Sequence, residues 1–537
     1  MSTRPRVLLP NGWVEGVSEP GLLVFRGIPF GRSTAGGERF RAPRPAVEWP
    51  GTLDASRFGQ ASAQVVGGAA RLRRWSAVPP RSGAGEGCLN LNVWTPAADR
   101  GRRPVMVWLH GGGFSRGSGS FHLYSGDRLA RHGNVVVVSI NYRLGALGGL
   151  DLSAFGGGET TDSNRALRDQ VVALEWVQAN VEALGGDPEN VTLFGQSAGA
   201  MSIASLMVAP LRAGLFQRAI LQSGAGDNVL TPKQARHVAE VFLRAMGLDP
   251  DARDVVGLLR EVDWPSLVAA QMKTVSAHAL PLGTLAWQPV MDGDLVPGRP
   301  RELLGAGRGL EIPLLIGTNL DEWKMFTALD KRRRTLDEAT LRSYLLRTFA
   351  LSSEWKAGRA EPKAAEDQTE RALALYGKVP DGGQRSPADI WAAVQRDRVF
   401  RHPAVLFADA HSRRDAPTWF YRFDWRPPLA PRRVGACHSL ELAFVFGTLR
   451  TPWLRALFGA SSRALSLSHR MQDAWLMFAR TGDPNGGDQP EWPRYRPPKG
   501  KLAVLGADFT QDFSMEEELR NFWDQVRAEV VSPAQDP

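Results

Sequence analysis

Two kinds of hydrophobic spacing alternate along this chain. Nearly unbroken apolar runs occur at 104–110 (PVMVWLH) and 134–142 (NVVVVSINY). Runs of that length without polar alternation suit strands buried on both faces. At 164–181 (NRALRDQVVALEWVQANV) the spacing becomes helical, with Leu167, Val171, Leu174 and Gln178 on one stripe and Trp176 and Val177 beside it. Strand-like runs return at 190–195, 218–224, 312–319 and 418–425, and a helix is expected from about Ala198. Strands alternating with helices predict a mainly parallel sheet covered on both faces, an α/β fold. Two stretches, about 231–300 and 330–411, are polar, Arg-rich and amphipathic. They are expected to form helical insertions over the strand ends, where a pocket forms. One domain spanning 1–537 with such insertions accounts for the pattern more simply than several separate domains.

Composition narrows the class. The chain has 537 residues, 43 % of them hydrophobic and 23 % charged, which is ordinary globular usage. A chain of this length buries a large core without needing disulfides or metals. Its net charge is +9, yet the basic residues are scattered among acids, and the clusters at 71–75, 331–334 and 426–433 are short. No nucleic-acid-binding motif accompanies them, so no nucleic-acid partner is expected. Two cysteines, Cys88 and Cys437, make no disulfide framework, and no Cys/His spacing marks a metal site. The N-terminal residues have no long apolar core of the secretory kind. No run approaches the roughly 20 apolar residues of a membrane helix. A cytoplasmic protein with no membrane partner is the expectation; monomer and dimer both stay open. The segment 66–87, rich in Gly, Pro, Ser and Arg, reads as a surface loop.

The chemistry concentrates at FGQSAGA, residues 194–200. G-x-S-x-G between a strand and a helix is a nucleophile elbow. The chain reverses sharply there, so Ser197 takes a strained backbone conformation, and Gly195 and Gly199 leave room for neighbouring backbone. The helix that follows points its first amides at the place where negative charge would develop. A serine in a glycine-rich turn is by itself more often structural. A second glycine run, WLHGGGFSRGSG at 108–119, directly follows a predicted strand and offers bare amides of the kind a tetrahedral oxyanion needs.

Further segments then match in order along nearly the whole chain: FRGIPFG and ERFRAPRP near the start, EGCLNLNVWTP (86–96), NYRLGALG, LQSGA (221–225), IGTNLDEW (316–323), GACHSLELAFVFG (435–447) and MQDAWLMFARTGDPN (471–485). With these the sequence resembles the type-B carboxylesterases, the cholinesterase-like esterases of the α/β-hydrolase fold. The resemblance implies Ser197 as nucleophile, Glu322 of LDEW as triad acid and His438 of GACHSLE as base. It implies backbone donors at Gly112, Gly113 and Ala198, and supporting places for Ser223 and Gln196. Arg39 with Glu86, and Arg143 with Asp169, match structural ion pairs of the family. Asp321 is the rival to Glu322. Trp323 stands where the family often has a small residue, and either walls the pocket or shifts the loop. Gly87 replaces a common Asp.

Of the other histidines, His122, His132, His237, His278, His411 and His469 sit in polar or helical contexts and are expected at the surface. His110 is expected to brace the glycine turn, and His402 to pack. Cys437 beside His438 raises a Cys/His pair, but adjacent side chains seldom meet in hydrogen-bonding geometry, and a half-buried free thiol is expected instead. The implied reaction is two-step acyl transfer on a small-molecule ester without metal or cofactor. Gln196 in place of the cholinesterase Glu, and no cysteine pair in 66–87, point away from choline esters. Trp75 is a weak candidate for a cation-stacking ring. Neutral aliphatic or aryl esters are the expected substrates. An amidase or carbamate hydrolase with the same triad remains a rival, as does a non-catalytic binding module of the same fold.

Overall fold

The unbroken Val/Ile/Leu runs become the centre of the sheet because no residue on them has to meet water. A computed structural model describes residues 4–531 apart from 66–82, 156–160, 212–213, 227, 278–284, 358–361, 379–383, 429–430, 487–489 and 499. Eleven strands form one sheet: β1 (Val17–Glu19), β2 (Leu22–Pro29), β3 (Asn90–Thr95), β4 (Arg103–Leu109), β5 (Val136–Ile140), β6 (Gly186–Gln196), β7 (Arg218–Gln222), β8 (Leu314–Asn319), β9 (Thr418–Phe423), β10 (Lys501–Leu505) and β11 (Phe509–Phe513). Their spatial order is β11-β10-β9-β8-β7-β6-β4-β5-β3-β2-β1. The pairs from β5 across to β10 are parallel, and the pairs at both margins are antiparallel. Every residue of β5, β8 and the second half of β6 is buried. This is the α/β-hydrolase fold, a large and mostly parallel sheet flanked by helices.

Helix α1 (Arg165–Asn180) covers one face, and its buried stripe differs from the expected one. It runs through Leu167, Gln170, Ala173, Leu174 and Val177, whereas Val171 and Gln178 are only half-buried. The helix is held by its polar residues as well. Asp169 is fully buried and pairs with Arg143 at 2.6 Å, and Gln170 donates to Ser202 at 3.2 Å. The opposite face is covered by α3 (Ser462–Thr481), whose Trp475 is fully buried. Helix α2 (Ala198–Leu206) starts at the elbow and is buried along its entire length. Helices Pro232–Met246, Val255–Glu261 and Trp264–Ala277 occupy the first predicted insertion. The second holds helices from Glu338–Ala357 to His402–Ser412. Among the described residues no helix is long and apolar enough to cross a membrane.

Candidate active site

Parallel pairing sets the geometry of the site. β4, β6, β7 and β8 run in one direction, so their C-terminal ends, and the loops after them, meet along one edge of the sheet. Leu109 of β4 pairs with Gly195 of β6, which brings the glycine run 111–113 beside Ser197. Ser197 has φ 55° and ψ −125°, a combination that L-residues rarely adopt and that costs on the order of 1–3 kcal/mol. Its backbone is fixed from behind: its N–H donates to the Gln222 carbonyl at 2.8 Å. Gly199 is required by close approach, since a Cβ there would collide with the Leu109 carbonyl oxygen. At Gly112 the requirement is doubled: φ is +126°, and a Cβ would run into the Arg116 carbonyl oxygen. The N–H groups of Gly112, Gly113 and Ala198 have no acceptor among the described residues.

His438 and Glu322 arrive from two other loops. Glu322 follows β8, is fully buried, and accepts the Asn319 main-chain N–H on Oε1 at 2.8 Å. Its Oε2 lies 2.6 Å from His438 Nδ1. The two loops are stitched further by the His438 N–H, which donates to the Glu322 carbonyl at 3.3 Å. A carboxylate that accepts at Nδ1 leaves the lone pair of a neutral imidazole on Nε2. That Nε2 lies 3.1 Å from the Gln196 side-chain amide nitrogen. Ser197 Oγ has no hydrogen-bond partner among the described residues, so in this state Gln196 and not Ser197 occupies the lone pair. Gln196, expected from sequence in a supporting place beside the nucleophile, is in direct contact with His438.

The surroundings are aromatic. The ring of Phe400 lies 4.7 Å from the His438 ring and that of Phe326 5.5 Å. Trp323 packs 4.7 Å from Phe326 and 6.2 Å from Phe400, so the departure at this position builds a wall and leaves the Glu322–His438 contact intact. Phe400 reaches inward from a π-helical turn, Asp397–Arg401, which neither pattern nor motif foretold. Asp321, the rival acid, points elsewhere: it pairs with Lys324 at 3.2 Å and Arg426 at 3.5 Å.

Several other expectations resolve. His110 stacks on Tyr142 at 4.4 Å, and burial pushes its imidazole down to about 4, which suits a brace. His402 is buried against Asp524 at 2.9 Å. His411 is a correction: it is 3 % exposed and not at the surface. Its Nδ1 meets Thr418 Oγ1 at 2.9 Å, because the last turn of its helix leans on the start of β9, and burial pushes the ring down to about 4. Cys437 is fully buried rather than half-buried, and burial with the charges of Glu322 and Glu441 pushes its thiol far up, so it offers no thiolate. Ser223 is buried behind the elbow at φ 50°, and its Oγ has no partner among the described residues. Arg39 holds Glu86 at 2.6 Å. Trp75 and His278 lie outside the described residues. Sequence reasoning missed Asn319 and Glu441, which lie directly behind the acid and base; a lone Glu in the apolar run LELAFVFG was the available signal for the second.

Comparison with known proteins gives the family. The model of the carboxylesterase family matches residues 3–523. Para-nitrobenzyl esterase of Bacillus subtilis (strain 168) is 36 % identical over 96 % of this chain and 98 % of its own. Phenmedipham hydrolase of Pseudarthrobacter oxydans is 35 % identical over 94 % and 96 %. Among solved structures, a PNB esterase superposes with a TM-score of 0.81 at 36 % identity, covering 97 % of this chain and 100 % of that one. A carboxylesterase of Geobacillus stearothermophilus gives 0.80 at 33 % identity, covering 98 % and 100 %.

Proposed function

The chain belongs to the carboxylesterase family and is a serine hydrolase of carboxylic esters, and we propose that Ser197, His438 and Glu322 carry out its acyl transfer. The observation that carries this assignment is the buried 2.6 Å contact between His438 Nδ1 and Glu322 beside a serine held at φ 55°. Ser197 Oγ takes over the Nε2 lone pair from Gln196 as it attacks the ester carbonyl, and His438 takes its proton. The amides of Gly112, Gly113 and Ala198 receive the oxyanion. His438 then gives the proton to the leaving alcohol, and a water, activated in the same way, releases the acid. Glu322 keeps Nδ1 protonated and stabilises the imidazolium. The scheme asks for no metal or organic cofactor.

Neutral aliphatic or aryl esters are the substrates we assign. Support comes from the uncharged Gln196 at Nε2 and from the Trp323, Phe326 and Phe400 wall, and from a relative named for a nitrobenzyl ester. The whole chain is read as one catalytic domain acting in the cytoplasm; its two free, buried cysteines accord with a reducing compartment. The test is a graded panel of p-nitrophenyl esters and anilides with wild-type protein and Ser197→Ala. The variant is expected to lose at least about 10³-fold in kcat. Near-normal turnover by Ser197→Ala sinks the assignment.

A further inference from the structure

Asn319, the last residue of β8, stands between two buried carboxylates. Its main-chain N–H donates to Glu322 Oε1 at 2.8 Å. Its side-chain amide donates to Glu441 Oε2 at 2.6 Å and to the Cys437 carbonyl at 2.7 Å. Those two bonds turn the NH₂ end of the amide toward Glu441. On the other side, Gln222 Nε2 faces Glu441 Oε1 at 3.4 Å, and Gln222 Oε1 accepts from Trp475 Nε1 at 3.1 Å. An indole only donates, so Gln222 is also obliged to present its NH₂ to Glu441. Glu441 therefore meets donors at both oxygens: its surroundings are arranged for the ionised form.

We propose that Glu441 is a positioning residue whose carboxylate holds Asn319, and through it both the Glu322 carboxylate and the Cys437–His438 backbone, while adding a second negative charge that favours the imidazolium formed during acyl transfer. The inference rests on the triad assignment above. Nothing in that assignment uses Glu441, although it is fully buried three residues after the base.

The charge of Glu441 is poised near neutrality. Burial pushes its carboxyl up to about 7, the charge of Glu322 adds to the push, and the Asn319 bond and His438 oppose it. The other ionisable neighbours stay neutral in this range: burial and the two glutamates push the Tyr421 phenol far up, and burial does the same to the Cys437 thiol. Asp321 is tied to Lys324 and Arg426. Gln222 and Asn319, which face Glu441 from β7 and β8, and Trp475 of α3 behind Gln222, do not titrate. Glu441 thus gains its charge as pH rises through about 7, and the positioning described here strengthens over the same interval.

The test is the pH dependence of kcat/KM for a neutral ester in wild type and Glu441→Gln, from about pH 5.5 to about pH 9. The wild-type acid limb should be steeper than a single ionisation allows, since the Glu441 carboxyl has to lose a proton in addition to the base being free to accept one. Glu441→Gln, which keeps the shape, should return the limb to a single ionisation and lower the plateau about 10- to 100-fold, with KM within about threefold. If that variant does not fold, wild type alone decides: an infrared difference spectrum should show a buried protonated-carboxyl band vanishing as pH rises through about 7. A single-ionisation limb in wild type that is unchanged in Glu441→Gln, an effect confined to KM, or no such infrared band overturns the proposal. These outcomes are separable from failure of the triad assignment, which shows instead as full turnover in Ser197→Ala.

Discussion

Replacing Glu322 by glutamine isolates what the acid contributes, because shape and burial are preserved and one acceptor becomes a donor. In the native site both oxygens accept: Oε1 takes the Asn319 N–H at 2.8 Å and Oε2 faces His438 Nδ1 at 2.6 Å. A glutamine satisfies only one of these contacts. With its oxygen toward His438, the NH₂ opposes the Asn319 N–H, leaving two buried donors face to face at about 1–3 kcal/mol. With its oxygen toward Asn319, the NH₂ opposes Nδ1 and forces the imidazole proton onto Nε2, where a general base needs its lone pair. Either way the imidazolium loses the neighbouring negative charge. A tautomer fault of this kind costs about 10⁴-fold in kcat, or about 5.5 kcal/mol at about 1.4 kcal/mol per decade. The assay is steady-state hydrolysis of a p-nitrophenyl ester, with thermal unfolding followed in parallel. KM should stay within about threefold, since Glu322 makes no contact with substrate. A folded Glu322→Gln enzyme that keeps more than about a tenth of wild-type kcat refutes the reasoning.

Other perturbations have equally definite outcomes. Gln196→Glu places a negative charge where the neutral amide lies 3.1 Å from Nε2, and should raise kcat/KM for a choline ester relative to a matched neutral ester by at least about fivefold; an unchanged ratio contradicts the placement. Arg143→Ala strands the fully buried Asp169 carboxylate and should destabilise the fold by about 3–5 kcal/mol in urea unfolding, far more than loss of an exposed pair such as Arg236–Glu240. Burial holds His110, His402 and His411 at about 4, below their unfolded value, so the stability they contribute is complete above about pH 6.5 and is lost as pH falls toward 4. His411→Gln should accordingly lessen the fall in melting temperature over that window, where one such group accounts for at most roughly 3 kcal/mol. Burial pushes Cys88 up to about 12, so neither buried cysteine should react with a thiol reagent until denaturant is added.

What the sequence made legible follows from how local the physics is. The strands of the sheet centre are visible because burial on both faces leaves no polar alternation in them, and the β6–Ser197–α2 elbow is visible because sterics dictate its glycines. The margins are harder. In β11 four of five residues are exposed, so nothing in FTQDF separates a pairing strand from a loop until its partner Lys501–Leu505 is known. The helical stripe of α1 was displaced because Asp169 and Gln170 turn inward to Arg143 and Ser202, and a hydrophobicity pattern assigns such residues to solvent. His411 was misplaced for a similar reason: its polar neighbours in HSRRD are exposed or half-exposed, and only the approach of β9 buries it. Ser197 is legible in its own elbow, and Glu322 and His438, far off in sequence, are found through family motifs; Asn319 and Glu441 lie inside those same motifs, but the contacts they make behind the acid and base are set by the fold and not by the sequence pattern.

The central claim is that an ester's acyl group passes through Ser197, and mass spectrometry of the enzyme stopped during the burst with a p-nitrophenyl ester tests it most directly. The account predicts one acyl group per chain, carried on the peptide that contains Ser197, and none in Ser197→Ala. An acyl group on another residue, or ester turnover with no acylated Ser197 at any time, contradicts it.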